Sequence, residues 1–472
     1  VLDRLRRSPA LHRPIWLALL VIAAAVAFGL PLVRRGIVLS DEGYLLQQAL
    51  DLLGGRVLYR DMDAFITPGA WFLLAGLFAI VEPSVIASRY LVLVVYVATC
   101  WTALRIVLPV AGRAAALGAV GALLLFSVWA FPAWTFAFYS PIAILFVLLG
   151  LERLLAWQRS GRARDLVAVG VLLGLAVCVK QNYGVFALGG ASIAWGATRL
   201  SRAGEPGGGL AGAGRDVGAV ALGLLAAGLP FLSYLLAHDA FGAAWNSLVV
   251  HPFEFAGRHD IPYAPLSDLW RPDLYTDGTE KLTYLSYPTL RVGPNPLLQA
   301  VRGTQRLHVL AYWLPPLLFA GGLALAVTRP RDRSRRIDVA LLAIVATCGA
   351  VFLGVLPRAD FNHLVNVYQP VIVAGAVVVQ RAFARLPREA RARRIALAST
   401  VGALAVLYGA TAVLWYAGLL GTHVAPVDGG RGGVRVDPVE GAKIQGLVRA
   451  IEQRTAPGDP LLTIPDLTML NF

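Results

Sequence analysis

The ionisable side chains Asp41, Glu42, Asp61, Asp63, Lys180, Arg358, Asp360 and His363 are set between long apolar runs. Charged groups beside or inside apolar segments are costly to keep there, which makes them functional candidates by default. Their types suggest two kinds of chemistry. A carboxylate can take a proton from an attacking hydroxyl or amine, and Lys or Arg can hold an anion. A carboxylate pair facing such cations at a membrane surface suits a reaction on an anionic lipid head group.

Each of these residues also has a plainer reading. Asp41 can cap a helix, and Asp61-Met62-Asp63 can be a solvated turn although it has the Asp-x-Asp spacing of nucleotide-sugar sites. Lys180 can snorkel at a helix end, Arg358 and Asp360 can be a structural ion pair, and His363 can simply begin a helix. His251, Glu254, His259 and Asp260 can contact an acceptor, but they match no strong metal-ligand template, and no metal site is expected in that loop. Cys100, Cys178 and Cys348 lie inside apolar runs without Cys-x-x-Cys spacing and read as packing residues.

The elements that must position these groups are membrane helices. Of 472 residues, 57% are hydrophobic and 15% are charged, against about 25% charged in soluble domains. Mean hydropathy is +0.65. Apolar runs such as 15–33, 114–131 and 395–420 approach the roughly 20 residues a helix needs to cross a bilayer. The net charge of +14 is explained by Arg in short loops, where it sets topology, so no nucleic-acid partner is expected.

Placing the basic segments at the N-terminus, 159–164, 329–336 and 385–394 in the cytoplasm predicts about eleven spans, at 15–33, 85–108, 114–132, 139–157, 166–179, 183–198, 217–237, 308–327, 338–356, 366–384 and 395–420. Residues 42–53 and 68–80 then have no crossing to make. They read as two interfacial helices in a first extracytoplasmic loop at 34–84, with Ser40 or Asp41 as a cap. Residues 1–420 form one membrane module with a large extracytoplasmic loop at 238–306. The Gly-rich stretch 204–214 reads as a linker, because it lacks the Gly-Lys-Ser/Thr ending of a phosphate loop. Residues 421–472 look like the start of a further extracytoplasmic domain, and truncation there is plausible.

This order of parts resembles the GT-C superfamily of lipid-dependent glycosyltransferases, in particular the protein O-mannosyltransferases and the aminoarabinose transferases. The resemblance rests on Asp41-Glu42-Gly43-Tyr44, on Gly55 with Tyr59-Arg60-Asp61, on Thr67-Pro68-Gly69, and on Arg89 at the start of the next span. Lys180-Gln181-Asn182 resembles a lysine turn, and Arg358-Ala359-Asp360-Phe361-Asn362-His363 a later outer-loop motif. It implies a GT-C bundle and transfer from a polyprenyl-phosphate sugar at the outer face, with Asp41 as general base and Glu42 orienting Asp41 or binding the acceptor. Lys180 and Arg358 would clamp the leaving phosphate, and direct displacement would invert the anomeric centre. Tyr59, Asp61, Asp63, Gln181, Asn182, Asp360 and His363 are the candidate substrate-binding residues. Ser140 departs from the pattern, standing where many relatives carry a second acid.

Carboxylates near a phosphate can hold a divalent cation, yet a lysine clamp works without one, so metal dependence is left open. The acceptor can be a lipid, a glycan or a protein. The competing readings are a transporter or flippase for a lipid-linked glycan and a non-catalytic assembly protein. A transporter would place polar residues near the midplane and break paired helices, whereas these charges gather at one surface. The Ala, Arg and Gly richness suggests a bacterial inner or plasma membrane.

Overall fold

The computed structural model describes residues 14–202, 210–255, 260–270, 306–328, 337–387, 389–427, 431–456, 461 and 468–471. The architecture is all-α apart from one short hairpin. Helix α1 (Pro14–Val33) is followed by two short helices, α2 (Asp41–Leu53) and α3 (Gly69–Phe78). Next comes α4 (Val85–Trp129), broken at Gly112, whose φ of 82° lies in the left-handed region that a glycine tolerates. The expected spans 85–108 and 114–132 are the two limbs of this broken helix.

Helices α5 (Tyr139–Ser160), α6 (Ala163–Val179) and α7 (Gln181–Ser201) follow, with the α6–α7 break at Lys180. Helix α8 (Leu210–Ala237) begins earlier than the expected 217; most of the anticipated Gly-rich linker, 203–209, lies outside the described residues. Within 238–306 the chain forms α9 (Phe241–Trp245), a π-helical turn at Asn246–Val250, α10 (His251–Phe255) and a 3-10 turn at Leu266–Trp270. Residues 256–259 and 271–305 of that loop are outside the described residues.

The bundle continues with α11 (Arg306–Val327), α12 (Val339–Phe352), the short α13 (Phe361–Asn366), α14 (Tyr368–Arg385) and α15 (Arg391–Thr422). Strands β1 (Ala425–Val427) and β2 (Val434–Val436) pair antiparallel, and α16 (Pro438–Glu452) packs on them. Six of the described helices, namely α1, α4, α5, α8, α11 and α15, are long and apolar enough to cross a membrane by length and composition. Exposed Leu, Ile and Val line their outer faces, for example Leu222, Leu225, Leu229 and Val406. That is the pattern of helices solvated by lipid, and the protein is an integral membrane protein.

Close approach between elements has identifiable causes. A Cβ at Gly223 would sit 2.2 Å from the Val167 carbonyl oxygen, and one at Gly170 would sit 2.2 Å from the Val220 carbonyl oxygen. Small residues therefore let α6 and α8 meet backbone to backbone. The hairpin is anchored to the start of the first loop: the Arg435 N–H donates to the Arg34 carbonyl at 2.7 Å, and the Gly36 N–H to the Arg435 carbonyl at 2.8 Å. The Met469 N–H donates to the Leu39 carbonyl at 2.9 Å, so the last described residues return to the entrance of α2.

Candidate functional site

Asp41 opens α2, one residue after Ser40, which occupies the cap position without a side-chain capping bond. The capping role foreseen for Ser40 is therefore not made. Beside Asp41, Glu42 is completely buried and held by Arg89, with Nε–Oε1 and Nη2–Oε2 both at 2.7 Å. Arg89 Nη1 also donates to the carbonyls of Val33 (3.1 Å) and Arg35 (2.8 Å). The Val38 N–H donates to Glu42 Oε2 at 3.3 Å. Both Glu42 oxygens accept hydrogen bonds, and the pair with Arg89 fixes the start of α2 to α4 and to the loop before it.

Lys180 sits in the α6–α7 break and is 8% exposed. Its ammonium lies 2.9 Å from Ser140 Oγ, and 3.9 Å and 4.9 Å from the ring centres of Tyr183 and Tyr139. Among the described residues it forms no salt bridge. Burial pushes its pKa down to about 7, opposed by the more distant Asp360 carboxylate. Ser140, the departure noticed in the sequence, is thus the direct polar partner of the lysine.

Asp360 is buried at the start of α13 and accepts from Arg358 Nε and from His363 through both its N–H and Nδ1, each at 2.8 Å. Burial raises its pKa, but the bonds from His363 and Arg358 outweigh this and hold it below the usual carboxylate range. The Ala359 N–H donates to the Ile261 carbonyl at 2.9 Å, which docks this turn against the large loop. The Tyr139 phenol interacts electrostatically with Asp41, Tyr183, Tyr44 and Asp360. The Tyr139 ring, 4.9 Å from the Lys180 ammonium, is thus within electrostatic range of both Asp41 and Asp360.

The turn carrying Lys180 is tied to the first loop by its neighbour. Gln181 Oε1 accepts from the Thr67 N–H at 3.2 Å, and Gln181 Nε2 donates to the Phe65 carbonyl at 3.2 Å. Thr67 Oγ1 donates to the Val177 carbonyl at 2.7 Å. A Cβ at Gly69 would lie 2.8 Å from the Cys178 carbonyl oxygen, so glycine is what lets α3 begin against the end of α6. Asn182 is half-buried, and its side chain makes no hydrogen bond among the described residues.

Other candidates fall outside this cluster. The buried Tyr59 hydroxyl donates to the Ile66 carbonyl at 2.8 Å, and Tyr59 has a positive φ of 69°, so it shapes the loop. Asp61 accepts from the Val57 N–H at 2.8 Å and from Arg60 at 2.9 and 3.0 Å. Those bonds, the Arg60 one foremost, lower its pKa to about 2. Asp61 is a turn-closing residue. Asp63 is exposed, and among the described residues no group of three His, Cys, Asp or Glu is placed to hold a metal ion. Sequence reasoning missed the aromatic walls of Lys180 and the partnership of Glu42 with Arg89. The second carried a signal, because an arginine entering an apolar span needs a carboxylate.

The class this fold defines is an all-α membrane bundle already seen among solved structures. It is shared with ArnT from Cupriavidus metallidurans in the apo state, at a TM-score of 0.58 and 16% identity over 96% of this chain and 83% of that chain. The structure of the same protein bound to undecaprenyl phosphate matches with a TM-score of 0.55 and 14% identity, over 96% and 84% of the two chains. No protein-family model matches the sequence, and no curated protein matches it.

Proposed function

We propose that this protein is a glycosyltransferase that moves a sugar from a polyprenyl-phosphate donor to an acceptor at the extracytoplasmic face, in a bacterial inner or plasma membrane. About eleven helices would cross the bilayer, with α2 and α3 at its outer surface. The observation that carries this reading is Lys180, a buried cation walled by two tyrosines whose ammonium has, among the described residues, only a neutral hydroxyl as its direct polar partner. A buried charge without a counter-ion is costly, and a phosphate supplies the missing charge. That a protein of the same fold is found bound to undecaprenyl phosphate supports this choice of ligand.

In the reaction, the acceptor oxygen or nitrogen attacks the anomeric carbon, and the bond from that carbon to the phosphate oxygen breaks. The acceptor proton passes to Asp41, and the electron pair of the broken bond stays on the lipid phosphate. The phosphate gains negative charge, so Lys180 and the remaining N–H groups of Arg358 bind the transition state more tightly than the ground state. Asp360 orients Arg358, and Glu42 with Arg89 holds the start of α2, which carries Asp41. One displacement inverts the anomeric centre.

The test is a proteoliposome assay with radiolabelled undecaprenyl-phosphate sugars and a crude envelope acceptor fraction. Wild type should release lipid phosphate and label the acceptor. Asp41→Asn should lose about 10²–10⁴-fold in turnover while still binding the donor. Normal turnover by Asp41→Asn would remove the base. Movement of intact lipid-linked sugar across the bilayer without phosphate release would establish a transporter instead.

A further inference from the structure

Next to the proposed base lies a surface that the transfer mechanism does not use. Asp41 and Tyr44 are three residues apart on α2 and so share a helix face. The half-buried Tyr44 stacks on Phe65, with ring centres 6.2 Å apart and planes within 15°. Trp71 closes the other side of Tyr44 edge-on at 5.9 Å. Phe65 is 49% exposed, although its carbonyl is fixed by Gln181, the residue after Lys180. The aromatic pair thus bridges the interval between the helix of Asp41 and the turn of Lys180.

A carboxylate accompanies the pair. Tyr44 Oη and Gln48 Nε2 donate to the main-chain carbonyl of Asp63 at 3.0 and 2.6 Å. The Asp63 side chain is exposed and forms no bond among the described residues. The backbone of residue 63 is pinned, while its carboxylate is left for something else. Asp63 and Phe65 are alternate residues of an irregular segment between α2 and α3. A fixed, half-exposed aromatic face beside a spare carboxylate fits a pyranose ring: the apolar C–H face of the sugar covers the ring, and adjacent hydroxyls donate to the carboxylate.

We propose that Tyr44, Phe65 and Asp63 form the acceptor subsite, and that the acceptor is a glycan whose terminal pyranose stacks on Phe65. This rests on the transferase reading above and narrows the acceptor from a lipid, glycan or protein to a carbohydrate. A ring held there presents a hydroxyl towards Asp41 from the side opposite the donor phosphate, as an in-line displacement requires. Phe65 and Asp63 select what is glycosylated.

Saturation-transfer NMR on the purified full chain in detergent tests this without needing turnover. The probes are methyl α-D-mannopyranoside and methyl α-D-glucopyranoside, with a Ser/Thr-containing peptide as the non-sugar control. Wild type and Asp41→Asn should both transfer saturation to ring C–H protons. Phe65→Ala should weaken binding about tenfold, as expected for loss of one stacked aromatic ring, and Phe65→Trp should retain it. Asp63→Asn should weaken it by less. Absence of transfer to both glycosides, equal transfer in Phe65→Ala, or transfer only to the peptide would each overturn the subsite. Binding of undecaprenyl phosphate to Lys180, followed in the same samples, separates the two readings: its persistence without glycoside binding sinks the subsite alone.

Discussion

Arg89 and Lys180 are both buried cations, at 0% and 8% exposure, and each stands within the neighbourhood of α2. Arg89 is closed, because a bidentate carboxylate and two carbonyls satisfy its guanidinium. Lys180 is open, with one hydroxyl, two aromatic faces and no salt bridge among the described residues. Two buried carboxylates in the bundle follow the closed pattern. Glu152 is paired with Arg105 and Arg153, and Asp216 with Arg199. On the proposed reading, a charge that builds the fold has its partner within the chain, and Lys180 takes its partner from the donor.

The largest effect that would sharpen this contrast is expected at the closed site. Arg89→Ala leaves Glu42 buried without a counter-ion, and breaking such a pair costs about 3–5 kcal/mol. Thermal unfolding in detergent should show a large loss of stability, with transfer lost as a consequence of misplacing Asp41. A variant as stable as wild type would mean that the Glu42–Arg89 pair does not hold α2.

At the open site the expected pattern is reversed. Lys180→Met removes a charge that has no salt bridge, so stability should hold or rise, since apolar replacement of buried charge is often neutral or better. Affinity for undecaprenyl phosphate should fall about 10- to 100-fold, the range expected when a hydrogen bond to a charged group is lost. Equilibrium binding and unfolding on the same sample check both halves. Unfolding of Lys180→Met with donor affinity unchanged would place Lys180 beside Arg89 as a structural residue.

The contrast was only half legible in the sequence. Lys180 and Asp41 could be found because charges between apolar runs are conspicuous, and α2 and α3 because apolar stretches too short to span still had to be accommodated. Nothing local links Glu42 with Arg89, which are 47 residues apart, nor assigns Tyr139 and Tyr183 to the walls of Lys180. The Asp61-Met62-Asp63 spacing suggested one site, but the structure divides it: Asp61 closes a turn while Asp63 is exposed. The strand pairing of residues 34–36 with β2 was invisible, because segments this short carry no readable period.

The smallest predicted effect tests whether Ser140 is what keeps the lysine open. With a serine partner, the Lys180 pKa is held down to about 7 by burial, below its ordinary value of 10.5. Because the unfolded chain binds this proton more tightly, the lysine's burden on stability is fully present below about pH 7 and is relieved as pH rises towards 10.5. Donor binding has the opposite dependence, since the ammonium is the form that attracts phosphate. Affinity in wild type should be steady below pH 7 and weaken about tenfold for each unit above it. Ser140→Asp places a carboxylate against the ammonium, which raises the lysine pKa and turns the open site into a closed one like Arg89. Its donor affinity should be weaker than wild type at pH 6.5 and nearly flat to pH 9. Isothermal titration with undecaprenyl phosphate across that range separates the outcomes. A flat wild-type profile, or a Ser140→Asp profile that still falls above pH 7, would show that the serine does not set the state of the lysine.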